Sequence, residues 1–264
     1  MKKTITILLL FLFTIVTFSY GQGKKTDLDR EHIKGKVKYM NVKTSSSDNK
    51  DGEFATYKFN ENGYKMFVIN YVRSFTKTYN YDAKDQMIEI KEYPNGSKEK
   101  TINVYNKFGN IIETKVFDVN EVCNSIVDNN YDAKGNVNKS EMFAYIDGER
   151  QLYATATYDY NDKGQLIQAN FDFIIYSNQT AYKYNDKGSL IEEIKSGLDS
   201  DEYGDIFDLN DITTYTYKYD NRGNEIEQTI YDQDKKITNV ITKKLVYYGD
   251  KDENNYPQWD KKMK

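Results

Sequence analysis

A chain of 264 residues with net charge −4 can form one elongated domain or two smaller ones, and its acidic balance, with pI near 5.3, argues against a nucleic-acid partner. One histidine, His32, and one cysteine, Cys123, exclude an internal disulfide framework and a His/Cys metal cluster. Only 38% of residues are apolar while 30% are charged, so much of any sheet surface must be wet.

Met1-Lys2-Lys3 precedes an apolar run from Ile5 to Phe18 and the small-residue stretch Ser19-Tyr20-Gly21. That order is a secretory signal peptide over residues 1–21, too short in its apolar run for a comfortable membrane span. Cleavage removes Lys2 and Lys3 and takes the net charge from −4 to −6 (−4 minus 2). No cysteine follows the apolar run, so no lipid anchor is expected and the exported chain stays out of the membrane. Residues 22–34 are charged and aperiodic, which reads as a flexible lead-in. A first strand is expected over Lys36–Lys43, then a polar loop, Ser45 to Asn49, and a returning strand from Glu53 to Asn60.

From there a unit repeats. Gly63, Asp85, Gly109, Gly135, Gly164, Gly188 and Gly223 each stand three residues after Asn60, Asp82, Asn106, Asp132, Asn161, Asn185 and Asp220. A short carboxylate or amide opening a turn accepts a bond from the backbone two residues on, and glycine at the fourth place takes positive φ. The spacing predicts a type I turn closed by a G1 bulge, a hairpin connection. One residue before each turn stand Phe59, Tyr81, Tyr105, Tyr131, Tyr160, Tyr184 and Tyr219, and two before those Tyr57, Tyr79, Asn103, Asn129, Tyr158, Tyr182 and Tyr217. The interval of two puts both on one strand face. The position three past each anchor, as at Met66, Ile112, Ile167, Ile191 and Ile226, is expected on that same face. Between these turns lie Asn95-Gly96 and Asp147-Gly148, which favour type I′ turns at the opposite hairpin ends. The result is all-β: a continuous antiparallel meander of repeated hairpins over residues 35–259, forming a single twisted or curled sheet, an open spiral or half-barrel.

The last interval between anchors is the longest, 35 residues, and holds Asp199, Asp201, Glu202, Asp205, Asp208 and Asp211. Clustered carboxylates suit Ca²⁺, but the order of an EF-hand loop is absent and a solvated insertion is the better reading. Asp250-Lys251-Asp252-Glu253-Asn254 begins like a calcium loop but has no glycine at the sixth place, so it too reads as solvated. Glu192-Glu193 and Glu225 with Glu227 resemble hydrolase carboxylate pairs only in composition, and no nucleophile motif or phosphate-cradling loop accompanies them. Pro257 fits an edge strand and Trp259 reads as a cover for the sheet's apolar end, ahead of a polar tail, 260–264. No cofactor or metal and no catalysis are expected.

The pattern Tyr-x-Tyr-Asp-x-x-Gly-Asn, clearest at Tyr217 to Asn224, resembles the YD repeats of the Rhs family, and the match runs from Tyr57 to Glu227. In that family long arrays form hollow β-shells around a C-terminal toxin, and shorter members are labelled cell-surface or sugar-binding proteins. The resemblance implies a spiralling sheet, and because the chain ends within a few residues of Trp259 no toxin domain is expected. The resulting expectation is an exported, non-catalytic binding or scaffold module of the periplasm, cell surface or extracellular space, with carbohydrate or an envelope protein as partner. Tyr182, Tyr217 and Trp259 are the candidate stacking residues. The competing expectation is a periplasmic carrier holding hydrophobic cargo inside the curled sheet.

Overall fold

The computed structural model describes residues 26–46, 49, 52–71, 74–81, 87–146, 148–200 and 205–251. The signal-peptide segment, Trp259 and the polar tail lie outside them. One turn of helix, α1 (Asp27–Arg30), precedes β1 (Val37–Ser46), β2 (Glu53–Phe59), β3 (Lys65–Asn70), β4 (Phe75–Tyr81), β5 (Met87–Glu92), β6 (Lys98–Tyr105), β7 (Ile111–Phe117) and β8 (Cys123–Tyr131). There follow β9 (Val137–Ile146), β10 (Glu149–Tyr160), β11 (Leu166–Phe173), β12 (Ser177–Tyr184), β13 (Leu190–Ser200), β14 (Ile206–Tyr219), β15 (Glu225–Tyr231) and β16 (Ile237–Tyr247). Each strand pairs antiparallel with its sequence neighbour, so the repeats do form the expected meander.

The repeat turn works as its residues require. The Gly63 N–H donates to the Asn60 carbonyl at 2.9 Å, and Asn60 Oδ1 accepts from the N–H groups of Asn62 and Tyr64 at 3.0 Å each. The same backbone closure recurs at Asn106, Asp132, Asn161, Asn185 and Asp220. At the opposite rim, Asn95-Gly96 does not make the expected type I′ turn. Gly96 N–H donates to Tyr93 O, Tyr93 N–H donates to Ser97 O, and Gly96, not Asn95, has positive φ. Pro94 occupies the second turn position, where its fixed φ selects type I. Gly148 has positive φ, while Asp147 lies outside the described residues.

A second irregularity follows the repeat turns and corrects the expected register. Tyr160 pairs with Leu166 while Asp159 pairs with Gln168, so Ile167 is an extra residue in a bulge. Met66, Ile112, Asn138, Ile191 and Ile226 occupy the same place in their hairpins. The residue two past the anchor therefore opposes the aromatic, and the aliphatic three past it turns outward: Ile167 is 40% exposed and Leu166 is buried. Bulges raise local twist and collect at barrel rims.

The sheet is neither an open spiral nor a half-barrel. It closes as a barrel of 16 strands, because β1 and β16 pair from Val37↔Tyr247 to Ser46↔Asn239. Seven repeat hairpins supply β2 to β15, and the flanking strands meet as a split eighth hairpin. Repeated bulges at one rim curve the sheet steadily, and closure removes both unpaired edges.

Ion pairs distinguish the two walls. Lys183–Glu192 and Lys218–Glu227 have lysines 62% and 70% exposed, whereas Lys77–Glu89 and Lys195–Glu193, on the other face, have lysines 27% and 26% exposed. The second face is the concave inner wall. Along β10, Ala154, Ala156 and Tyr158 are buried inward while Thr157 and Asp159 are exposed. Both apolar clusters belong to contiguous arcs of the inner wall. One joins α1 to β1, β2 and β16, and the other spans β8 to β12. The outer wall carries Lys139, Glu141, Asp159, Gln168, Asn170 and Lys218, with a more apolar arc at Phe67, Ile69, Ile88, Ile90 and Ile102. Tips at the rim opposite the repeat turns expose Val119, Val122, Ile146, Ile174, Ile175 and Phe207.

Residues 26–34, expected as a flexible lead-in, instead form a latch at the repeat-turn rim. Thr26 caps α1 in a capping box with Asp29. Asp27 Oδ2 accepts from Lys65 N–H at 2.7 Å and Tyr81 OH at 3.1 Å, and Leu28 N–H donates to Gly63 O at 3.1 Å. Leu28 and Ile33 then pack on Val37, Met40 and Phe59.

Candidate functional site

The inner wall of β8 to β14 carries two rows of tyrosines, each row offset by a fixed step. From Tyr158 the register runs through Ala169 to Thr180, two residues short of Tyr182; from Tyr182 it runs through Glu193 to Thr213, two short of Tyr215. The same step relates Tyr131, Tyr160, Tyr184 and Tyr217 in a parallel row. Two strand spacings and a climb of two residues separate successive members by about 12 Å at the backbone.

These rings lie along the wall. Tyr131 OH donates to Ile111 O at 2.7 Å, Tyr160 OH to Val137 O at 2.8 Å, and Tyr217 OH to Leu190 O at 2.7 Å. Ile111, Val137 and Leu190 all begin the bulged strand of the preceding repeat, where the disturbed ladder offers a carbonyl to a side chain. Each of these three repeats thereby holds a ring from the next. Tyr215 OH donates to Glu193 Oε2 at 3.1 Å, Lys195 Nζ sits 3.3 Å from Glu193 Oε1, and Gln228 Nε2 donates to Tyr217 OH at 3.0 Å.

Burial pushes the phenols of Tyr158, Tyr160, Tyr182, Tyr215 and Tyr217 upward, keeping them protonated donors. Neighbours in the rows add to this: Tyr131 and Tyr184 raise Tyr160, Tyr158 and Tyr184 raise Tyr182, and Tyr182 raises Tyr215. Glu193 raises both Tyr182 and Tyr215.

Of the candidate stacking residues, Tyr182 and Tyr217 stand half-buried on this wall in adjacent rows, connected through Tyr184 and Tyr215. Trp259 lies outside the described residues. Sequence reasoning passed over Tyr215 and Glu193 as site members. The alternation Tyr215-Thr216-Tyr217-Lys218-Tyr219 was the available signal for the first; the second was marked only as half of the Glu192-Glu193 pair, which pointed to catalysis and not to a tyrosine partner. Neither imagined carboxylate pair shares a face: Glu192 and Glu227 point outward to Lys183 and Lys218, while Glu193 and Glu225 point inward. The acidic insertion is mostly strand. Asp199 and Asp211 are on the inner wall, Asp208 is on the outer, and residues 201–204 lie outside the described part. Among the described residues no three His, Cys, Asp or Glu side chains converge as a metal site. Cys123 opens β8 half-buried, and burial pushes its thiol up, as for an unactivated strand cysteine.

The barrel has known structural counterparts. A porin-like protein from Bacteroides uniformis superposes with TM-score 0.57 at 12% identity, over 80% of this chain and 98% of its own. A porin-like protein from Bacteroides vulgatus gives 0.51 at 11% identity, over 81% and 99%. No family model and no curated protein matches the sequence. The likeness is one of fold: this chain is similar to these porin-like proteins.

Proposed function

We propose that this protein is an exported, water-soluble, non-catalytic barrel of the cell envelope or extracellular space that binds carbohydrate on its inner wall. The observation carrying this reading is the pair of tyrosine rows, whose rings lie beside the polar groups of Glu193, Lys195 and Gln228. Flat half-buried rings next to hydrogen-bonding groups suit the apolar faces and hydroxyls of a sugar. Hydrophobic cargo fits less well, because the inner wall also holds the ion pairs Lys77–Glu89, Lys91–Glu99 and Lys195–Glu193. The resemblance to YD repeats and the leader sequence support the exported setting.

The outer wall separates this reading from that of a channel in lipid. A spanning barrel needs an apolar belt all round. The outward faces of β9, β10 and β14 are mixed: Lys139, Glu141, Arg150, Asp159, Asp208 and Lys218 stand among Thr155, Thr157, Asn210, Thr214 and Thr216. The apolar residues Phe143, Tyr145, Leu152, Ile206 and Ile212 between them do not form an unbroken belt. A screen of immobilised glycans with detergent-free protein tests the proposal. Binding is expected, with loss when Tyr160, Tyr182 and Tyr217 become alanine. An empty array, or binding indifferent to those replacements, overturns it.

A further inference from the structure

We infer that the two tyrosine rows form a track for a linear, uncharged oligosaccharide in an extended conformation, with one aromatic platform for every two sugar rings. This rests on the carbohydrate reading and adds to it the shape, length and charge of the ligand.

The inference comes from the spacing. Row members recur on alternate strands, β10, β12 and β14, with Tyr158, Tyr182 and Tyr215 in one row and Tyr160, Tyr184 and Tyr217 in the other. Tyr158 is buried against Phe171, so Tyr160, Tyr182, Tyr184, Tyr215 and Tyr217 are the half-exposed platforms. Each step is about 12 Å at the backbone. Two consecutive rings of an extended glycan advance by a comparable length. A sugar on each platform and another between platforms therefore keep the same relation to the wall at every step. Between Tyr182 and Tyr215, β13 supplies the polar groups Glu193 and Lys195 for the second sugar, while between the β10 and β12 platforms β11 offers the apolar surface of Ala169 and Phe171. Each step climbs two residues, so the track winds obliquely round the wall.

Charge narrows the class. Inward carboxylates outnumber inward cations here: Glu193, bonded to Tyr215, Asp199 and Asp211 stand with Lys195 on β13 and β14, and Glu225 at the start of β15 accepts from Ser189 Oγ at 2.7 Å. Fixed carboxylates beside the rings disfavour uronic or sulfated sugars. The repeat-turn mouth is partly occupied on its β1–β4 side by α1, whose Asp27 holds Tyr81. The arc from β8 to β14 lies beyond that latch.

The test is titration calorimetry of the whole protein with β-1,4-linked gluco-oligosaccharides of two, four and six residues, and α-1,4-linked chains of equal lengths. Affinity for the extended β-linked series should rise about fivefold for each added pair, the scale of one aromatic contact. The curved α-linked series should gain less. Tyr182→Ala with Tyr184→Ala, both on β12, should reduce six-residue binding to the two-residue level, while Phe at both positions should preserve it. Tyr145→Ala, on the outer wall, should change nothing. Equal affinity for two and six residues, equal gains for the α-linked series, or six-residue binding that survives the double alanine variant would overturn the track and leave inner-wall binding standing. Failure of every glycan to bind would instead remove the function on which it rests.

Discussion

Asn224→Ala is the sharpest test of how the barrel is locked. Asn224 is 1% exposed and joins the seventh repeat turn to the latch and to β16. Its Oδ1 accepts from Lys34 N–H at 2.6 Å, and its Nδ2 is 3.1 Å from Lys34 O, 2.8 Å from Tyr247 OH and 3.1 Å from Asp220 Oδ2. Alanine strands the Lys34 peptide groups and removes a partner from Tyr247, so at about 1 kcal/mol each the loss is about 3 kcal/mol. Asn136 provides an internal control. It occupies the same repeat position and is also buried, but its Nδ2 donates within its own turn, to Asp132 Oδ2 at 3.0 Å. Asn136→Ala should therefore cost about 1 kcal/mol. Equilibrium urea unfolding of the two variants isolates the contribution of the latch as their difference. If Asn224→Ala costs no more than Asn136→Ala, the latch does not stabilise the closed barrel.

Other consequences are open to measurement. The phenols of Tyr79, Tyr158, Tyr160, Tyr182, Tyr215 and Tyr217 are raised by burial above the ordinary value of 10.0, so unfolded chains ionise first and stability should fall as pH rises above it. Phenolate absorbance from these rings should appear together with the loss of β-sheet circular dichroism; its appearance beforehand would contradict their burial. Gly63→Ala should cost more than Gly96→Ala by thermal unfolding. Both glycines have φ near +80°, but a methyl at Gly63 meets Thr26 Oγ1 at 3.0 Å while that at Gly96 meets open space; the shared φ penalty is about 1 kcal/mol. Ile174→Ser with Ile175→Ser, at a tip where they are 76% and 63% exposed, should alter stability by less than about 0.5 kcal/mol. A large loss in the urea midpoint would mean that the tip packs against something.

The sequence by itself determined the local parts. Asn or Asp at the first turn place and glycine at the fourth set the turn through bonds within five residues, and alternation placed Tyr158, Tyr160, Tyr182 and Tyr217 on a common face. Local signals also misled where two rules competed: Pro94 overrode the Asn95-Gly96 preference, and the bulges displaced Ile167 and Ile191 from the face that simple alternation assigns. Only the tertiary structure decided that the sheet closes, which face became the interior, and that Tyr182 meets Glu193 and Tyr215 there. Closure depends on pairing β1 with β16 and on Asn224 reaching Lys34, contacts between residues about two hundred apart that leave no periodic trace in the chain. Both faces mix charge with apolar residues, so composition could not choose between them; the accumulated curvature of sixteen paired strands did.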